Sequence, residues 1–481
     1  MRYRNLSCHA YDGKIRYVCS LRQLKPEAMS TAHILIIVIA GVSLLLLMVL
    51  KFKISAFISL LITSMFVGIL AGMPIQDILE SIQTGMGGTL GFVAVVVGLG
   101  AIFGQILESS GGAESLAHHL VKKFGTDRAS WAMVLTGFIV AIPVFLDVGL
   151  VILAPIIYAL SRDTKRSLLY YGIPLLAGLA VTHSFMPPTP GPIAVADILD
   201  AQLGWVIFFG FLLGIPTAII AGPVFGKYIA GKIYIEPPED MMRPQEAGAV
   251  DPESLPSFRS IALLIAVPLL LILVNTFTSV MVDKGVIDKM LFTDVLIFLG
   301  HPFSALIIAA LLAVYFLGIR RGKSRQELLQ LSNKALGPAG IIILVTGAGG
   351  VLKQILVDSG IGEIMARSIS DSALPPILLA WILAAIVRVT QGSATVAMIT
   401  AAGIISPVLS FINPSPPELA LIVISIASGA TLLSHVNDSG FWLVNKYFGM
   451  DEKQTLRSWT VMESIVALCG LAFSMLASLF V

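Results

Sequence analysis

Apolar blocks long enough to cross a bilayer recur from residue 32 to the end of the chain, and strand-like alternation is absent. A spanning helix needs about 20 apolar residues, and backbone in lipid must satisfy its own hydrogen bonds, so these blocks predict helices. They lie at 32–50, 54–72, 89–107, 168–184, 204–226, 259–280, 294–318, 335–357, 418–434 and 458–480. Of the 481 residues, 56% are hydrophobic and only 12% charged. A soluble domain carries about a quarter charged residues, so this chain could not cover a water-facing surface of its size. The same figures exclude disorder, a coiled coil and a secreted disulfide scaffold. A net charge of +2 gives no footprint for nucleic acid. Three cysteines without CxxC spacing give no disulfide framework and no metal site. The fold class predicted is an all-α polytopic membrane protein.

Two further apolar stretches break near their middles. Residues 131–160 carry one formal charge, Asp147, and residues 375–411 carry one, Arg388. Both are expected to be re-entrant helical hairpins, with tips near 143–149 and 388–393. Counting each hairpin once or each arm separately gives 12–14 hydrophobic segments. Loop charges agree. The loops at 51–53, 108–130, 161–167, 226–259, 319–334 and 446–457 hold 20 Lys and Arg, against 3 in those at 73–88, 185–203, 281–293 and 358–373. The basic set is expected to face the cytoplasm.

An internal repeat is visible. Residues 100–111, Gly-Ala-Ile-Phe-Gly-Gln-Ile-Leu-Glu-Ser-Ser-Gly, match residues 349–360, Gly-Gly-Val-Leu-Lys-Gln-Ile-Leu-Val-Asp-Ser-Gly. Each copy precedes a hairpin stretch and then an interrupted helix, and the loop charges make the copies run in opposite directions. An inverted-topology repeat of this kind belongs to secondary transporters, whose site lies mid-membrane between broken elements. The expected organisation is an N-terminal extension at 1–29, either disordered or upstream of the true start, then a first membrane repeat at 30–230. A Pro-rich cytoplasmic linker follows at 231–258, and a second repeat at 259–481, each repeat having five spans and one hairpin.

Four polar breaks carry the chemistry. In the first, Asp147 follows Pro143, and an acid at that depth is expected to serve proton coupling or substrate contact unless it only pins the hairpin in an ion pair. The second, 183–192, has four prolines in six residues after His183. His183 is either titratable near neutral pH or a neutral hydrogen-bonding group. In the third, Arg388 can hold a carboxylate through two parallel hydrogen bonds. Ser393 and Thr395 then open a helical arm whose free N–H groups favour an anion. The alternative for Arg388 is a structural bridge to Asp147 or Asp438. The fourth, 434–442, offers Ser434, His435, Asn437, Asp438 and Ser439, groups that bind polyol hydroxyls, a cation or a helix end. The run 85–91, rich in glycine, lacks the Gly-Lys-Ser/Thr of a phosphate loop and is expected to pack helices. Gln105 and Gln354 are expected to be structural partners related by the repeat, and His118 and His119 to bind no metal.

At five of these segments the chain resembles the gluconate permease family of the ion-transporter superfamily. They are 87–92 (Gly-Gly-Thr-Leu-Gly-Phe), 143–149, 187–192 (Pro-Pro-Thr-Pro-Gly-Pro), 392–397 (Gly-Ser-Ala-Thr-Val-Ala) and 434–442. The likeness spans about 30–481, and its His-Val-Asn-Asp form at 435–438 is nearer the sugar-acid members than the D-serine carriers. The resemblance implies H⁺-coupled uptake of gluconate or a related sugar acid across a bacterial inner membrane. The roles expected follow. Arg388, Ser393 and Thr395 hold the carboxylate; Asn437, Asp438, Ser439 and Thr189 complete the substrate contacts. Asp147 or Asp438 carries the proton, with His183 and His435 as further titratable candidates. No cofactor beyond the coupling H⁺, no metal and no nucleic acid is expected. Partners are the sugar acid and lipid, and a homodimer is compatible with the sequence. Rival readings are a symporter for another small hydroxy or amino acid such as D-serine, coupled to H⁺ or another cation, an intramembrane hydrolase and a passive channel. No HExxH is present. Peptide cleavage without solute flux would mark the hydrolase, and uptake indifferent to proton gradient and potential would mark the channel.

Overall fold

The computed structural model describes residues 31–238, 255–361 and 374–481. The expected extension at 1–29, the middle of the linker and the segment 362–373 lie outside the described residues. Those described are helical, with no strand among them. Eight helices among them are long and apolar enough to cross a membrane, and five shorter apolar helices accompany them. The chain is therefore a multi-pass membrane protein. Large apolar side chains such as Ile36, Leu263, Leu311 and Ile341 stay exposed on its outside, as lipid-facing surfaces require.

The elements of the first half are α1 (Thr31–Leu50), α2 (Ala56–Leu70), α3 (Ile75–Ser109), α4 (Gly112–Phe124), α5 (Ala129–Val140), α6 (Leu146–Thr164), α7 (Leu169–Phe185), α8 (Pro190–Ile198), α9 (Leu203–Ile219) and α10 (Phe225–Ala230). The second half has α11 (Phe258–Asp283), α12 (Leu291–Gly300), α13 (Pro302–Ala313), α14 (Arg325–Asp358), α15 (Pro376–Gln391), α16 (Ala394–Ile412), α17 (Pro416–Gly429), α18 (Ser439–Phe448), α19 (Glu452–Thr455) and α20 (Val461–Ala477). The first arm of each interrupted stretch packs on the next helix of its own half, α5 on α7 and α15 on α17.

α3 and α14 carry the two matching sequences and lie side by side. Ser81 Oγ donates to Asp358 Oδ2 at 2.6 Å, Gly98 sits against Leu336, and Lys323 Nζ donates to the Ser109 carbonyl at 3.2 Å. Partner numbers fall as residue numbers rise, so the two helices are antiparallel. That is the relation an inverted repeat needs. The approach is close enough to demand glycine: a Cβ on Gly85 would fall 2.6 Å from the Gly350 carbonyl oxygen. Gly87, Gly88 and Gly91 have nothing within such reach, so the expected packing role belongs to Gly85 alone in that run. Gln105 and Gln354 do not touch each other; each binds an acid on its own helix, Glu108 and Asp358.

Several boundaries differ from expectation. α3 starts at Ile75 rather than 89, because Ile78, Ser81 and Gly85 are buried despite the intervening charges. α14 starts at Arg325, ten residues before its apolar run, on a capping box. In that box Glu327 N donates to Ser324 Oγ at 3.2 Å, and Ser324 N to Glu327 Oε2 at 2.7 Å. The stretch at 294–318 is not one helix. It breaks at His301, since Pro302 has no N–H to continue α12 and disfavours helical backbone before it. The linker's ends are built into the first half. Leu168 N donates to the Ile235 carbonyl at 2.9 Å, and Ser115 Oγ to the Pro256 carbonyl at 2.5 Å.

Candidate substrate site

Each half is interrupted twice. In the first, α5 and α6 are joined by the turn 141–145, and α7 and α8 by 186–189, where the Pro187-Pro188 peptide is cis. In the second, Gly392 and Ser393 separate α15 from α16, and 430–438 separates α17 from α18. The helical parts reach further than expected: Arg388 ends α15 from inside its last turn, and Ser439 begins α18.

Between these breaks lies a cavity of about 290 Å³, close to the lower end of the range for small-molecule sites, about 300–1,000 Å³. Asp147, His183, Arg388, Asp438, Ser439 and Glu463 line it. The starts of three helices meet there: Leu146 and Asp147 of α6, Ala394 of α16, and Ser439 and Gly440 of α18. Their dipoles favour an anion, with Val396 N of α16 and Gly440 N of α18 already taken by side-chain oxygens of Ser393 and Asp438.

Arg388 is 4% exposed. Its Nη2 lies 2.5 Å from Asp438 Oδ2, and its Nη1 donates to the Gly392 carbonyl. The buried Nε has no partner. The structure thus contains the bridge to Asp438, and the guanidinium fork is not free for a second bidentate partner. An added carboxylate can displace Asp438, or reach the occluded Nε if the Arg388 side chain shifts. Asp438 is held from several sides. Ser434 Oγ donates to its Oδ2, Gly440 N donates to its Oδ1 at 3.0 Å, and Trp459 Nε1 donates to Ser434 Oγ at 2.7 Å.

Asp147 occupies the first turn of α6, is exposed and makes no ion pair among the described residues. It pins nothing; its charge faces the cavity. His183 presents its ring edge-on to Phe145, with Nδ1 buried and unpartnered.

Other expected residues lie elsewhere. Asn437 Nδ2 donates to the Val389 carbonyl at 3.0 Å, and His435 Nε2 lies 3.0 Å from the same oxygen. A carbonyl only accepts, so Nε2 carries the hydrogen. These two side chains close off carbonyls at the end of α15, and neither lines the cavity. Ser393 Oγ caps α16 by accepting from Val396 N at 3.4 Å, and Thr395 is absent from the lining. Thr189 donates to the Met186 carbonyl and borders a separate space of about 10 Å³ beside 142–145, room for one water at most. His118 and His119 are exposed on α4, and no acid or thiol cluster for a metal occurs among the described residues.

Glu463 was missed. It is 3% exposed and lines the cavity. The signal was present: it is the only formal charge in 458–480, the same feature that singled out Asp147 and Arg388. A span that reads as hydrophobic overall hides a single acid.

The family described as GntP family permease matches residues 33–480. The gluconate permease of Pseudomonas aeruginosa is 39% identical over 93% of this chain and 98% of its own length. The low-affinity gluconate transporter of Escherichia coli K12 is 40% identical over 93% and 99%. The Gnt-II system L-idonate transporter of the same organism is 38% identical over 91% and 97%. Among solved structures, the Alcanivorax borkumensis YdaH transporter superposes with a TM-score of 0.60 at 14% identity, covering 88% of this chain and 98% of that one; that likeness concerns the fold alone.

Proposed function

The chain belongs to the GntP permease family and is a transporter rather than an enzyme, and on that premise we propose that it takes up gluconate or a closely related sugar acid together with H⁺ across a bacterial inner membrane. The observation that carries the substrate class is Arg388: a buried guanidinium with an unpartnered Nε, lining a cavity on which three helix starts converge. Such a site favours one small anion. The names of the relatives, gluconate and L-idonate carriers, narrow that anion to a sugar acid. Ser439, with the Asp438 carboxylate, supplies polar groups for hydroxyls.

The antiparallel α3 and α14 support two inverted repeats that close alternately on one central site. The basic loops support the orientation, with the linker in the cytoplasm. Proton coupling has an electrical reason. A monoanion moving into a negative interior is opposed by about 2.3 kcal/mol per 100 mV. One proton cancels that charge, and a second makes uptake favourable.

The test is uptake of radiolabelled gluconate by vesicles holding the purified full chain, competed by sugar acids, amino acids and dicarboxylates. Sugar acids should compete best, and dissipating the proton gradient should stop accumulation. Arg388→Gln should lose carboxylate affinity by about tenfold or more, the size of one charge-assisted hydrogen bond. Retained affinity in that variant removes Arg388 from the substrate site, and better competition by D-serine transfers the substrate class to amino acids.

A further inference from the structure

Glu463 has no part in the expected roles above, yet it is the most deeply placed acid of the cavity. It lies in the first turn of α20, 3% exposed, and its carboxyl has no hydrogen-bond or ion-pair partner among the described residues. The charged and titratable groups that share its cavity are Arg388 from α15, Asp438 from the break before α18, Asp147 from α6 and His183 from α7. α9 also packs on α20 and has no titratable side chain. α17 packs there too, but its only acid, Glu418, caps the far end.

The two neighbouring acids are poorly suited to exchange a proton with the substrate's arrival. Asp438 accepts from Arg388, Ser434 and Gly440, so a proton on it would disrupt a charge-assisted network. Asp147 is exposed, and solvent screens its charge. Glu463 has no donor among the described residues and is only 3% exposed, at the cavity wall. A buried carboxylate without a partner is expensive, whereas the neutral acid is tolerated. The Arg388–Asp438 pair already balances itself. A sugar-acid carboxylate therefore brings an uncompensated negative charge into the space that Glu463 faces.

We propose that Glu463 is the proton-binding group of the transport cycle, holding H⁺ while the substrate anion is bound and releasing it once the anion has left. This rests on the assignment of the cavity to a sugar acid. The proton comes from water on one side, forms an O–H bond at a Glu463 carboxyl oxygen, and returns to water on the other side; no electrons move. The linkage is reciprocal: the anion binds better to the protonated cavity, and the proton binds better to the anion-filled one.

The experiment uses the reconstituted full chain. In the wild type, the apparent Kd for gluconate should rise with pH, approaching about tenfold per pH unit, the slope of one proton taken up per anion. Glu463→Gln should bind gluconate with a Kd that is flat across pH. It should exchange labelled for unlabelled gluconate yet fail to accumulate it on an imposed pH gradient. Accumulation by that variant, or an undiminished pH slope, overturns the proposal. Should Glu463→Gln fail to fold, dicyclohexylcarbodiimide decides on the wild type, since it attacks protonated carboxyls in apolar surroundings. An adduct on Glu463 that fades as pH rises is expected; adducts confined to Asp147 or Asp438 overturn the assignment. If the wild type neither binds nor exchanges gluconate at any pH, the substrate reading fails, and the carbodiimide result still judges Glu463.

Discussion

The two pairs of breaks occupy equivalent places in the two halves but are built from opposite materials. Those of the first half use proline: Pro143 in the turn before α6, and Pro187, Pro188, Pro190 and Pro192 around the start of α8. No residue of 141–149 or 186–189 has a positive φ. Those of the second half contain no proline and turn instead through left-handed residues, Gly392 at φ 88° and Leu433 at φ 49°. The polar chemistry differs in the same way. Asp147 is exposed, and His183 leaves a nitrogen unpartnered, whereas Arg388, Asp438, Ser434 and Trp459 form one connected network. Both sets of breaks thus border one cavity. One of them is braced by an ion pair, and the other carries Asp147 with no ion pair among the described residues.

The strongest way to break this contrast is Asp438→Asn. It leaves the Arg388 charge buried without its counterion, which costs about 3–5 kcal/mol, and uptake should be lost. Replacing both partners with apolar residues, Arg388→Met with Asp438→Leu, should recover much of that stability without recovering transport. If thermal unfolding shows Asp438→Asn no worse than Asp147→Asn, the second half is not the braced one.

Gly392→Ala comes next. The alanine would have to hold a left-handed conformation with its Cβ within 2.7 Å of the Asn437 carbonyl carbon, a strain of about 1–3 kcal/mol. Pro143→Ala at the corresponding turn meets no such conformation and should cost less than about 1 kcal/mol. Denaturation of the two variants side by side checks the ranking.

Smaller effects sharpen the comparison. Asn437→Ala should lose about 1 kcal/mol, the worth of an ordinary hydrogen bond, while its gluconate affinity stays at the wild-type value. Asp147→Asn should do the reverse, staying within about 0.5 kcal/mol of wild-type stability while slowing uptake. Paired melting and flux measurements test both, and a drop in gluconate affinity for Asn437→Ala would return that residue to the substrate site.

Much of the scaffold could be read from the sequence because lipid makes hydropathy decisive. The predicted spans at 32–50, 54–72 and 168–184 coincide closely with α1, α2 and α7. Where helices extend into polar sequence, hydropathy loses them: Asp77 and Glu80 lie inside α3, and Lys334 inside α14. The lone charges Asp147 and Arg388, and the polar group containing Asp438, did mark the cavity. Composition could not separate residues that face it from residues that brace it. His435 and Asn437 have the chemistry of hydroxyl readers, but the carbonyls they cap belong to a helix about 48 residues earlier in the chain. Such a long-range contact leaves no local periodicity to read. Glu463 escaped for the opposite reason, its charge diluted by the apolar helix around it.

Trp459 is buried, and its indole is hydrogen-bonded to the serine that holds Asp438. That gives the protein a built-in optical gauge. Any ligand that draws Arg388 away from Asp438 disturbs Ser434, and with it the ring whose emission depends on that bond. With the other four tryptophans, 131, 205, 381 and 442, replaced by phenylalanine, the fluorescence of a single side chain would follow occupancy in real time. The moment the ion pair opens could then be timed separately from the arrival of solute on the far side.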